Sequence, residues 1–444
     1  MSVEKEVPWE EWIRERDDPT TAGGKPEALD GLVVLDVSHN SMAGVICSAL
    51  LAEFGAEVIR IEPPGGDNVR FFSPFGLEHE GTGLGYLVEA RNKLHVTLDL
   101  ARQAGRDILK DLTGHADVLI ETYRPGQMDG WDIGYRQLRE INPRLIYVAC
   151  STYGQYGPEA ERQANKPDYE VADQALSGIV HVTGEMESSD DPQPWQAPTK
   201  AGNWFGWYTA GAWGAFAALT ALHHRGVSGR GQMIDVTGSE GILRFMEDMV
   251  LWYEKAGMVR GRIGLLDTSV FPYTFVQCKD GYTMIAGFSD VNFQALTTIM
   301  GQPELRDDPR FKTFIDRLQM ENKAVLHGIV EAWSKNYTSD EILEMVQDYV
   351  MNKRGPGIVA TGRVNSPRQT VAEDHWWERG AFARVEDPVY GELVVQGTPW
   401  KMTETPPRTK WLCRPVGADN EHVYLKYLGY DRGRLEALKA QGVV

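Results

Sequence analysis

Along the first third of the chain, short apolar runs alternate with stretches whose apolar residues recur at helical spacing. Gly31–Val37 (GLVVLDV) is a continuous apolar run of the kind a buried parallel strand needs. A helix is predicted over Ala43–Phe54, with Gly55 just past its end as a stop. Glu57–Glu62 (EVIRIE) is the next strand, ended by Pro63, Pro64, Gly65 and Gly66. Strand, helix, strand at this spacing is a βαβ unit. The pattern recurs as LHVTLDL (94–100), a helix near 104–113, DVLIET (117–122), a helix near 134–141 and RLIYVAC (144–150). Strands alternating with helices predict class α/β, an open doubly wound parallel sheet. The first strand runs into DVSHNSMAG rather than GxGxxG, so the dinucleotide fingerprint is absent and an NAD enzyme is poorly supported.

The pattern changes after residue 200. Gly202–Val236 begins with aromatics, continues as a helix rich in small residues (Gly211, Gly214, Ala215, Ala217, Ala218, Ala221), and ends in the strand-like GQMIDV. The small residues predict close approach of another backbone, and Gly226, Gly229 and Gly231 are read as breaking the helix. One apolar helix is predicted over 238–256, then a hairpin in YTFVQCKDGYTMIAG turning at Lys279-Asp280-Gly281. Thr338–Glu341 reads as a capping box before EILEMVQDYV. These elements divide the chain into an arm (1–30), a large Rossmann-like domain (31–224), a smaller α/β domain (225–350) and a return segment completing the large domain (351–444).

Composition narrows the partners. A net charge of −18 over 444 residues argues against nucleic acid or an anionic membrane surface. The four cysteines are scattered without CxxC, which suits reduced thiols in a cytoplasm. No metal spacing, GxSxG motif, secretory signal or span-length apolar run is present, so a cytoplasmic protein without metal is expected.

The motifs together resemble one family, the class III CoA-transferases of the carnitine and formyl-CoA transferase type. GLVVLDVSHNSMAG, LLAEFGAEVIRIEPPGGD, RNKLHVTLDL, DVLIETYRPG and PDYEVADQALSGIVHVTG follow in family order, and Arg225 to Asp235 is close to the family's R-x-x-T-G-x-G-Q-x-V-D. The resemblance covers roughly residues 30–444. It implies an interlocked dimer and a coenzyme A thioester as substrate, with no covalently bound cofactor. Carried over, Ser41 and Met42 would flank the adenosine part of CoA, and Leu98, Thr122, Tyr123 and Arg124 would line the rest. Thr122 replaces the family's usual Asn, and two basic positions fall on Pro63 and Gly130.

The catalytic position departs further. The family's nucleophilic Asp falls on Trp207, and an indole cannot form the acyl anhydride that this chemistry requires. Glu170 is the nearest compensating acid, although its plainer role is a helix first-turn carboxylate. Racemisation would need a His where Tyr169 stands, together with the same Asp. Trp204, Phe205, Trp207, Tyr208 and Trp213 either stack on an aromatic substrate or fill the vacated pocket. Two expectations follow. One is a non-catalytic subunit paired with a homologous chain that keeps the Asp, as in the heteromeric benzylsuccinate enzyme of anaerobic toluene degradation. It would serve an acyl-CoA such as succinyl-CoA and a dicarboxylic acid. The other is a self-sufficient transferase using Glu170.

Overall fold

The computed structural model describes residues 7–163, 169–186, 193–247 and 249–444. Two compact units emerge: Met1–Ile179 with Lys200–Leu251 and Glu373–Val444, and Val180–Thr199 with Trp252–Ala372. The boundaries differ from those expected at 225 and 350, for a reason visible in the pairing. Met233–Thr237 bonds to Ile146–Ser151 and belongs to the large sheet, whereas Ala360–Arg363 bonds to Gly281–Ala286 in the small one.

The first unit is built on six parallel strands: β1 (Val33–Asp36), β2 (Glu57–Glu62), β3 (Lys93–Thr97), β4 (Val118–Glu121), β5 (Ile146–Ser151) and β6 (Met233–Thr237). Their order is β3-β2-β1-β4-β5-β6. Alternate residues feed opposite faces. Val34, Val58, Val118 and Val148 pack into one core, while Leu35, Ile59, Leu119 and Tyr147 pack into the other. Both faces are covered, which is why the strands read as apolar runs rather than alternating ones. The strand expected over 94–100 stops at Thr97: the Leu98 N–H makes the last bond to β2, on the Glu62 carbonyl, and the Asp99 N–H turns away to the Val443 carbonyl.

Helices α1 (Met42–Glu53), α2 (Gln103–Thr113), α3 (Tyr135–Ile141), α4 (Glu170–Ser177), α5 (Phe205–Ser228) and α6 (Gly238–Leu243) complete the part that positions the site. The small residues of α5 serve this chain's own core. A Cβ on Gly211 would lie 2.7 Å from Ile46 Cγ2 and 2.9 Å from the Ala43 carbonyl of α1. Gly226 lies inside the helix; the stop is Gly229, left-handed at φ 72°, whose N–H closes on Arg225 O. The helix expected over 238–256 is two, Gly238–Leu243 and Met249–Ala256, because the chain tightens at Phe245 and Met246 and Glu247 takes φ 52°.

From Val7 the arm is itself partly helical (Trp9–Asp17), and Arg408 donates to the carbonyls of Ala22 and Lys25. The second unit holds the expected hairpin, Tyr273–Cys278 with Gly281–Ala286, and the capping box at Thr338 and Glu341. Among the described residues no helix is long and apolar enough to cross a membrane.

Candidate functional site

Strand order reverses between β1 and β4, since β1 is followed by β2 on one side while the chain later returns to β4 on the other. Loops leaving the carboxyl ends of two such strands diverge and open a crevice. A cavity of about 580 Å³ lies there, lined by His39, Asn40 and Ser41 after β1 and by Thr122, Tyr123, Arg124 and Gln127 after β4, with Asn68, Phe72 and Tyr169.

Each loop is fixed by local chemistry. Ser41 caps α1, its hydroxyl accepting from Ala43 N at 3.3 Å, so a helix N-terminus with its partial positive charge opens at the cavity. Thr122 Oγ1 accepts from His39 N at 2.8 Å and donates to His39 O at 3.0 Å, tying the two loops together. The His39 ring stacks on Tyr123 at 5.7 Å. Arg124 is the one guanidinium among the described lining residues, and it donates to Gln127 Oε1 at 3.2 Å. A helix N-terminus, a guanidinium, side-chain amides and aromatic walls suit an extended anionic ligand with a ring system.

Beneath this wall lies a buried ionic network. Arg60 donates to Asp36 at 2.9 Å, to Ser38 O and Oγ, and to Asp67 at 3.0 Å, with all three charged side chains fully buried. Asp67 in turn holds the Asn40 and Val69 N–H groups and the His39 ring. Burial alone would raise the Asp36 carboxyl, but Arg60 and Lys93 outweigh it and hold it down at about 2. Burial likewise draws the Lys93 ammonium down to about 8. Charges so deep persist only because each has a partner.

Of the residues singled out in the sequence, Ser41, Thr122, Tyr123 and Arg124 meet in this cavity. Met42 and Leu98 do not: Met42 is fully buried in one core and Leu98 packs in the other. Their apolar side chains point into layers that the sheet keeps dry. His39, Asn40, Asn68, Phe72 and Gln127 escaped the sequence reading. The available signal was a polar His-Asn-Ser run directly after an apolar strand, where a chain covering a core has no need of it.

The position of Trp207 is built differently. Trp207 lies in the first turn of α5, is 8% exposed, and packs flat on Phe72 at 5.6 Å and edge-on to Trp204 at 5.8 Å. Tyr208 donates to Glu89 at 2.9 Å, and Trp213 stacks on Phe245 at 5.7 Å. The aromatics thus pack on one another and on the core. Glu170 is buried; its Oε1 accepts from Gly206 N at 3.1 Å and from the Gln174 side chain. Glu170 therefore satisfies a backbone amide in the first turn of α5, where a helix dipole favours a carboxylate. Asp173 packs against Gly206 of α5 and Gly238 of α6, so close that a Cβ on either would come within 2.6 Å of it. Pro167 and Asp168, quoted with Glu170 in the PDYE motif, lie outside the described residues.

Known proteins resemble this chain in sequence and fold. The model of CoA-transferase family III matches residues 29–420. Succinyl-CoA–D-citramalate CoA-transferase of Chloroflexus aurantiacus is 34% identical over 94% of this chain and 98% of its own length. The alpha subunit of succinyl-CoA–L-malate CoA-transferase from the same organism is 32% identical over 96% of both chains. Among solved structures, a CaiB/BaiF family protein from Brucella suis superposes with a TM-score of 0.76 at 27% identity, covering 91% of this chain and all of the other.

Proposed function

Because the chain belongs to CoA-transferase family III, we propose that it is one subunit of an enzyme moving CoA from an acyl-CoA such as succinyl-CoA onto a dicarboxylic acid. Its crevice would hold a CoA thioester, and a homologous partner chain would supply the nucleophilic carboxylate. In that chemistry a carboxylate attacks the thioester carbonyl and releases CoA thiolate, leaving a mixed anhydride. The thiolate then attacks the enzyme acyl carbon of the anhydride, expelling the first acid and leaving an enzyme–CoA thioester for the acceptor acid.

The observation that carries the subunit reading is Trp207, which stands where the resemblance expects the nucleophilic Asp and packs flat on Phe72 and edge-on to Trp204. Glu170, the nearest compensating acid, already serves the first turn of α5. The relatives' names support succinyl-CoA as donor and a dicarboxylate acceptor, and one of those relatives is named as an alpha subunit. An arylsuccinate such as benzylsuccinate gains nothing from the aromatic cluster, whose rings are spent on one another, so the acceptor is proposed only as a dicarboxylate.

The test is co-expression with a family III chain that keeps the Asp, followed by chromatographic measurement of CoA transfer from succinyl-CoA to D-citramalate and to L-malate. The pair should be active as a 1:1 complex by light scattering, and this chain alone inactive. Turnover by the lone chain, with an enzyme–CoA thioester trapped on Glu170, would sink the subunit reading.

A further inference from the structure

Asp67 sits at the end of the PPGGD turn after β2, fully buried, yet it touches the cavity wall through another residue. Its carboxylate faces four donors: Arg60 at 3.0 Å, Val69 N at 3.1 Å, Asn40 N at 3.2 Å and the His39 ring Nδ1 at 3.2 Å. Only a protonated Nδ1 can satisfy this acceptor, and neighbours keep the Asp67 carboxyl ionised, below its ordinary range, against its own burial. On the far side of the ring, His39 Nε2 lies 2.8 Å from Asn40 Nδ2, and Asn40 Oδ1 accepts from Asn68 Nδ2 at 3.0 Å. This direction of donation needs Nε2 unprotonated. Asn40 stands at positive φ, 54°, a conformation secured by its own N–H on Asp67. His39, Asn40 and Asn68 all line the cavity, and His39 is held flat against Tyr123.

We propose that Asp67 is a positioning residue for the ligand crevice: by accepting the hydrogen bond of the His39 Nδ1–H it fixes the ring's tautomer, and the tautomer dictates which way the Asn40 and Asn68 amides face. The crevice then meets its ligand with oriented amide groups and a single guanidinium, so preorganisation rather than accumulated positive charge sets its affinity. This inference rests on the reading of the crevice as the CoA site.

The experiment is a double-mutant cycle on the full chain, with coenzyme A as probe and calorimetric affinity as readout. Asp67→Asn and His39→Phe, the latter keeping a ring against Tyr123, should each weaken binding about tenfold, the scale of one charge-assisted hydrogen bond. The double variant should be no weaker than either single one, because both cut the same chain. Losses that multiply to about a hundredfold would overturn the proposal. So would unchanged affinity in Asp67→Asn.

Histidine-selective 15N spectra of the ligand-free protein supply a readout that a purely structural role would not move. His39 should show Nδ1–H with bare Nε2 in the wild type and lose that pattern in Asp67→Asn; the opposite tautomer in the wild type overturns the proposal. Should Asp67→Asn not fold, the cycle between His39→Phe and Asn40→Ala decides by the same criterion. A wild-type chain that folds and shows the tautomer but binds no coenzyme A refutes the CoA reading itself, and the positioning role falls with it.

Discussion

The crevice at the β1/β4 reversal and the start of α5 lie in one unit and share Phe72, which lines the first and stacks on Trp207 in the second. They are made in opposite ways. The crevice is polar to its floor, with Asp36, Arg60 and Asp67 fully buried beneath a wall of His, Asn, Ser and Thr. The start of α5 is aromatic, and the Glu170 carboxylate is occupied by the Gly206 amide of its first turn. Buried charge without a reacting partner is costly, so a chain retains it where it organises something. Aromatic filling costs little and adds packing. The contrast therefore separates a polar crevice over an organised charged floor from a helix start closed by aromatic packing; on the function proposed above, the first is kept for binding and the second has no space for a thioester carbonyl.

The sharpest way to break this contrast is Arg60→Met. It leaves Asp36 and Asp67 buried without their shared cation, and unfolding in urea should show a loss of about 4 kcal/mol. A loss within the error of a surface substitution would mean the network is not holding the crevice.

Next in size is Trp207→Asp, which introduces the carboxylate proposed for the partner chain while removing an indole stacked on Phe72 and edge-on to Trp204. Stability should fall by about 3 kcal/mol from lost packing and a desolvated carboxyl. Transfer by the lone chain should stay absent, since a nucleophile needs a cavity beside it. Activity matching that of an Asp-bearing partner would show that the space had survived.

Acid sharpens the comparison further, because the crevice floor carries a buried carboxyl held well below its ordinary range. The folded Asp36 carboxyl, at about 2, lies below its unfolded value near 4. Its contribution is therefore present above about pH 4 and lost as pH falls through about 2, worth about 2 kcal/mol. Denaturation midpoints between pH 5 and 2 should drop steeply in the wild type and in Trp207→Phe, and less steeply in Asp36→Asn.

The smallest effect is reserved for Glu170→Gln. An amide oxygen still accepts from Gly206 N, so the loss should be about 1 kcal/mol, the charge–dipole part alone. Transfer by the assembled pair should be unchanged; abolished transfer would return Glu170 to the reaction.

Much of this was legible in the sequence. The apolar runs near Val33, Glu57, Lys93, Val118 and Ile146 read as strands buried on both faces, and their alternation with helical periods pointed to an open parallel sheet. That Trp207 stands where the resemblance expects the nucleophilic Asp was a reading of residue type alone, since whether a side chain can carry an anhydride depends on its own atoms. Tertiary structure decided the rest. Met42 and Leu98 sit within reach of the right loops in sequence, but face dry cores, because side-chain direction follows from the pleat and from helix phase against neighbours distant in the chain. The role of Glu170 depended on Gly206 arriving at its carboxylate, a contact across 36 residues. Asp67 was a turn residue in the sequence; it became the anchor of the crevice only when Arg60, His39 and Asn40 folded around it. Local pattern determines elements, because hydrogen bonding and burial repeat with the chain's own period; partners of buried polar groups are chosen by packing, which has no period to read.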